Sequence, residues 1–137
     1  MNDLEPRVRD HLLTTHFETF ERTIDCADAV AESLDGPATR REEIVIPLRA
    51  ALDRAGILET YPTLLTSAVD ALGESLPAAP VAAPPYVTIT GTGPVLRASV
   101  STGRLVIRLA VFAVERDPKR YVRTGDVPEG ILVVERR

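Results

Sequence analysis

RLVIRLAVFAVER, residues Arg104–Arg116, is the longest mostly apolar run in the chain and the stretch that decides the fold. Val, Ile and Leu dominate it, Gly103 precedes it and Asp117-Pro118 follows it, a setting that predicts a central strand rather than a surface helix. Alternate side chains divide into two sets. Leu105, Ile107, Leu109, Val111 and Ala113 form a core face, whereas Arg104, Val106, Arg108, Ala110, Phe112, Val114 and Arg116 form a mixed one.

Turn residues on either side of this run predict an antiparallel meander. Tyr86–Thr90 precedes the turn Gly91-Thr92-Gly93-Pro94, and Val95–Ser101 precedes the two-residue turn Thr102-Gly103. Asp117-Pro118-Lys119-Arg120 then leads into a short strand, Tyr121–Arg123, with Ile131–Glu135 as a fifth candidate lacking alternation. Closing those turns sets Thr90 across from Val95 and Arg97 across from Arg108. Val87, Ile89, Leu96, Ala98, Val100, Leu105, Ile107, Leu109, Val111, Ala113 and Val122 then share one face, which the helices must cover. The opposite face gathers hydroxyls and arginines, with an apolar patch at Phe112, Val114 and Tyr121. Arg97 facing Arg108 places like charges together, so an acidic group such as Glu135, or a bound anion, is expected beside them.

Upstream, the first 76 residues read as helices. One long helix from Pro6 to Leu34 is predicted from the seam Leu13, Phe17, Phe20, Ile24, Ala27, Ala31 and Leu34, which alternates steps of four and three before Asp35-Gly36-Pro37. A second helix opens with the capping-box pair Thr39 and Glu42, carries Ile44, Leu48, Leu52 and Ala55, and stops at Gly56. Pro47 either kinks it or sets its start at Ile46–Leu48. Pro62, Leu65, Ala68, Val69, Leu72 and Leu76 mark a third. Between helices and strands, Pro77–Pro85 reads PAAPVAAPP, a stiff extended spacer.

Composition bounds the function. The 137 residues suit a single domain, divided into a helical part (1–76), a connector (77–85) and a sheet (86–137). The net charge of −4 hides an asymmetry: residues 1–76 carry fifteen acids against seven arginines (−8), and residues 77–137 five acids against nine bases (+4). A lone cysteine, Cys26, rules out an internal disulfide framework and a thiolate metal cage, and it reads as a buried small thiol. His11 and His16, five apart, point about 140° away from each other on a helix and cannot share a metal there. Gly91-Thr92-Gly93 lies between strands, without the helix and lysine of a phosphate loop. No catalytic constellation, cofactor motif or metal site emerges. A charged N-terminus and the lack of a long apolar segment predict a cytoplasmic protein without a membrane span.

PVAAPPYVTITGTGPVLRASV, followed by RLVIRLAVFAVER, resembles a group of small uncharacterised proteins of halophilic archaea, in which an acidic helical half precedes a Pro-Ala segment and a strand meander. The resemblance implies an archaeal, high-salt cytoplasm and carries no activity or functional residue with it.

The expected fold is therefore α+β, a three-helix N-terminal part on one face of a four- or five-stranded antiparallel meander. The expected function is a noncatalytic interaction module, a homodimer or a binder of a protein partner, acting through the open sheet face at Phe112, Val114, Tyr121, Arg116 and Arg123. The alternative is binding of an anion or nucleic acid by Arg97, Arg104 and Arg108, nucleic acid being the weaker version because few rings lie near those arginines.

Overall fold

A computed structural model describes residues 4–137. The elements run α1 (Leu4–Thr15), α2 (Phe17–Ser33), α3 (Glu42–Arg54), a 3₁₀ turn (Leu58–Thr60), α4 (Tyr61–Ala71), β1 (Val87–Thr90), β2 (Gly93–Val100), β3 (Gly103–Leu109), β4 (Phe112–Glu115), β5 (Arg120–Arg123), α5 (Pro128–Ile131) and β6 (Leu132–Arg136). The fold is α+β with antiparallel sheets. β1-β2-β3-β6 form one sheet of four strands, and β4-β5 form a separate ribbon. α1 lies against β6, α3 against β1 and α4 against β2, so one face of the larger sheet is roofed by helices.

The central run does not make one strand. It breaks at Ala110-Val111, where the N–H groups of Val111 and Phe112 both donate to the Thr92 carbonyl (2.9 and 3.0 Å) and the Ala110 N–H donates to Ile131 (2.8 Å). Beyond Leu109 both sets of side chains are apolar. A straight strand would leave Phe112 in water, and the bend turns it inward instead. The returning strand β5 pairs with β4 only, and β6, the fifth candidate strand, lies beside β3, with Ile107 facing Val134 and Leu109 facing Leu132.

Both hairpins close two residues away from the expected register. Thr90 pairs with Gly93 and Val100 with Gly103, so the loops are Gly91-Thr92 and Ser101-Thr102. Gly93 and Gly103 each take φ 137° and open the following strand. A side chain at Gly93 would collide with the Leu109 carbonyl, and one at Gly103 with the Arg137 carbonyl, so both need a residue without Cβ. A slip of two leaves every side chain on its own face. Val87, Ile89, Leu96, Ala98, Leu105, Ile107, Leu109 and Val111 are buried as expected, while Val100, Ala113 and Val122 are half-buried. The partner of Arg108 changes: Val95 faces it, and Arg97 faces Val106.

The predicted long first helix is two helices. His16 leaves helical geometry (φ −119°, ψ 26°) at the end of the weak helix formers Thr14-Thr15-His16. The break rotates the buried stripe to Val8 and Leu12 in α1 and to Phe20, Ile24, Ala27 and Val30 in α2, leaving Phe17 42% exposed. α3 runs through Pro47 and starts at Glu42. Its cap is Glu43 rather than Glu42: the Glu43 carboxylate accepts from the N–H groups of Thr39 (3.1 Å) and Arg40 (3.0 Å). Those donors hold its pKa below the usual carboxylate range. α4 ends before Leu76, closed by the Glu74 N–H donating to the Val69 carbonyl (3.2 Å). The 77–85 connector contains bends and finishes in a turn, Ala83 accepting from both Tyr86 (3.0 Å) and Val87 (3.1 Å), so it is less extended than its composition implies.

Candidate functional site

The unroofed face of the four-stranded sheet is built by register in three cross-strand rows. The first carries Thr88, Val95, Arg108 and Val133. The second carries Tyr86, Arg97, Val106 and Glu135, Tyr86 joining through its carbonyl, which accepts from the Arg97 N–H (2.9 Å). The third carries Ser99, Arg104 and Arg137, the last two exchanging both backbone hydrogen bonds (2.7 and 2.8 Å). Val106, at the centre, is 1% exposed although, among the described residues, the helices roof the other face. Its neighbours in register are Arg97, Arg104, Arg108 and Glu135, whose long aliphatic stems cover an apolar residue while their charges stay in water.

The arginines of this face are not equivalent. Arg108 and Arg137 share the Glu135 carboxylate, each at 3.3 Å, so the acidic group expected beside Arg97 and Arg108 meets Arg108 and not Arg97. Among the described residues, no carboxylate lies within ion-pair distance of Arg97 or Arg104. Both line a groove of about 320 Å³ with Ser99 and Ala98 on the strand side and Leu76, Pro77, Pro85 and Tyr86 on the connector side. A neighbouring hollow of about 400 Å³ continues it past Ser99 and Arg104 to Gly103 and Arg137. At the β2–β3 loop the Glu74 carboxylate accepts from the hydroxyls of Ser101 (2.8 and 2.9 Å) and Thr102 (3.3 Å). The Ser101 hydroxyl bond is the main cause of a Glu74 pKa below the ordinary carboxylate value.

The other candidate surface is not a surface. Phe112 is 2% and Tyr121 7% exposed, and Val114 is half-buried, so the apolar patch expected on the open face is covered within the protomer. Ala31, Leu34, Gly36 and Pro37 line a hollow with Phe112 and Tyr121, and Ala38 bridges Tyr121, its carbonyl accepting from the Tyr121 N–H (2.8 Å). The cover is the end of α2 and the loop after it, not the C-terminal run. Arg123 is also committed: it donates to Asp28 of α2 (2.9 Å), to the Val111 carbonyl (3.0 Å) and to the Thr124 carbonyl. Arg120 pairs with Glu115 (2.7 Å), and Arg116 is exposed at the far tip of the ribbon. Sequence reasoning treated these residues as one face with Arg97 and Arg104 because it extended the central strand through Ala110.

Thr23, Tyr61 and Cys26 serve the core. Thr23 donates its hydroxyl to the Thr19 carbonyl (2.9 Å) and accepts from the Tyr61 hydroxyl (2.8 Å), and burial pushes the Tyr61 phenol well above its usual pKa. Burial likewise raises the Cys26 thiol, which lies 3.7 Å from the Ala51 carbonyl. His11 meets the Ser67 hydroxyl at 2.8 Å; His16, with Nε2 unpartnered, has a lowered pKa, first from burial and then from His11. Among the described residues, no three His, Cys, Asp or Glu side chains converge as a metal site would require, and no helix is long and apolar enough to cross a membrane.

Sequence reasoning missed the parts of the groove contributed by Leu76, Pro77, Pro85 and Arg137. One signal was available: the apolar alternation of the first strand starts at Tyr86, whereas its partner continues to Ser101, so the second strand outruns the first.

Fold and face together define an α+β protein with one sheet face roofed and the other open. The chain belongs to the family described as a domain of unknown function (DUF7988), whose model matches residues 6–136. No curated protein and no solved structure matches it significantly.

Proposed function

We propose that this protein is a noncatalytic binding module and that the open face of its larger sheet receives an acidic surface of a partner protein. The observation that carries the reading is the division among the arginines of the sheet half. Arg108, Arg120, Arg123 and Arg137 each have a carboxylate, while Arg97, Arg104, Arg116 and Arg136 have none among the described residues, and of these four Arg97 and Arg104 lie together on a groove. An unpaired guanidinium pair next to a small hydroxyl residue suits bidentate capture of carboxylates.

Nucleic acid is the second reading and is less well supported. With Phe112 and Tyr121 buried, Tyr86 is the one ring beside these arginines, too few for base stacking. A high-salt cytoplasm, which the sequence resemblance implies, would also remove the counterion-release drive on which phosphate binding depends. A protein partner adds apolar and backbone contacts that salt does not screen.

Amide-shift mapping by NMR during separate titrations with poly-glutamate and a single-stranded oligonucleotide tests this. Poly-glutamate is expected to move the signals of Arg97, Ser99 and Arg104, and R97S/R104S to abolish the response. An oligonucleotide response alone would favour the second reading. Silence from both probes would end the proposal.

A further inference from the structure

The groove beside Arg97 and Arg104 runs along an unfinished strand edge. β1 pairs with β2 only as far as Val87 and Leu96, and the last rung is the Arg97 N–H to the Tyr86 carbonyl. The Tyr86 N–H turns back to Ala83, which leaves the Arg97 carbonyl without a hydrogen-bond partner among the described residues. Two residues on, Ser99 faces the same way as Arg97, away from β3. Its partner Arg104 spends both backbone groups on Arg137, so Ser99 and Arg104 are a non-hydrogen-bonded pair. The N–H and C=O of Ser99 therefore point out of the sheet into the groove.

The opposite edge of the sheet is treated differently. There the Arg136 N–H, on the outer side of β6, donates to the Glu5 carboxylate (3.0 Å), and α1 lies alongside. Covering an edge in this way is how folds block unwanted strand pairing. The Ser99 edge has no such cover among the described residues.

We infer that the β2 edge at Ser99 is a docking site for an extended acidic segment of a partner protein, which adds to the sheet as a strand. The inference rests on the reading of the open face as a binding surface and specifies how the partner is held. An incoming residue opposite Ser99 exchanges two backbone hydrogen bonds with it, the strand continuing the line of β1 beyond Tyr86. Alternation then sends one set of ligand side chains to the open face, where Arg97 lies diagonally and Arg104 reaches across the short side chain of Ser99 to meet carboxylates. The other set falls toward Leu76 and Pro77, which favours apolar residues there. Charge complementarity thus selects an acidic-apolar alternating strand over a neutral or basic one.

The probe is an end-blocked heptapeptide of alternating valine and glutamate, with a version N-methylated at alternate residues as its control. Binding to wild type is expected to slow hydrogen exchange at the Ser99 amide, and N-methylation to weaken binding about tenfold or more. Ser99→Pro should do the same while leaving the fold intact, because proline is tolerated where a strand N–H faces an open edge. If the peptide binds but neither N-methylation nor Ser99→Pro weakens it, charge alone holds the partner: strand addition is overturned and the acidic-partner reading stands. If neither the peptide nor poly-glutamate binds, both fall. Association of the protein with itself that Ser99→Pro abolishes, without peptide binding, would overturn the assigned occupant in favour of a second copy.

Discussion

β3 and β4 are successive pieces of one apolar run, two residues apart, and each carries an arginine-rich flank, yet they meet different surroundings. On the ribbon β4-β5, Phe112 and Tyr121 lie under the end of α2, and Arg123 is fixed by Asp28 and two carbonyls. On β2-β3, Arg97 and Arg104 face solvent beside a groove with no acid at ion-pair distance among the described residues. Composition does not separate the two; the available neighbour does. Where α2 reaches the ribbon, Arg123 is part of the structure, and at the groove, Arg97 and Arg104 are left for something else to meet.

The largest effect that would sharpen this contrast is Phe112→Ala, expected to destabilise by about 3 to 5 kcal/mol as a buried aromatic truncation. A loss near zero in a denaturant melt would mean that the ring is not under α2. Next, Ile107→Ala on the roofed face should cost about 2 to 5 kcal/mol. Val106→Ala, buried only by the stems around it, should cost roughly 1 to 2 kcal/mol at about 0.8 per methylene. Equal losses would erase the difference between roof and open face.

Arg123→Met should cost about 1.5 to 3 kcal/mol, the usual worth of hydrogen bonds from a charged group, and Arg104→Ser should stay within about 0.5 kcal/mol. Paired melts read this directly, and a costly Arg104→Ser would make it structural after all.

The smallest effect is in pH. Glu74 is held below the ordinary carboxylate range in the folded protein by the Ser101 hydroxyl, so its stabilising contact is complete above the unfolded carboxyl value and is lost as pH falls through the lower folded one. NMR titration should show the Glu74 carboxyl and the Ser101 amide sharing that low midpoint. An ordinary midpoint would remove the tie between α4 and the β2–β3 loop.

Side-chain alternation made the sheet legible. It assigned Leu96, Leu105, Ile107 and Leu109 to the buried face even though both turns were misplaced, because an error of two residues preserves the face. The same tolerance hides the true partners: the turn residues set Arg97 against Arg108, and the sheet pairs it with Val106. The break at Ala110 was illegible for another reason: it is imposed by the Thr92 carbonyl and by β6, both distant in sequence. His16 had the reverse problem, since a seam of fours and threes runs straight through a residue that leaves the helix. Of the candidate site, Arg97 and Arg104 could be read as outward-facing. That Arg123 was already spent on Asp28 could not, because nothing local links positions so far apart.

Thr92 offers its single carbonyl to both Val111 and Phe112, and it sits in the loop that closes the first hairpin. That loop is thus a clasp for two sheets at once, while its near copy Ser101-Thr102 is held by Glu74 through side chains. The chain can accordingly be opened at one place and not at the other. New termini or an inserted tag at Ser101-Thr102 would leave both sheets fastened. The same insertion at Gly91-Thr92 would unclasp the ribbon.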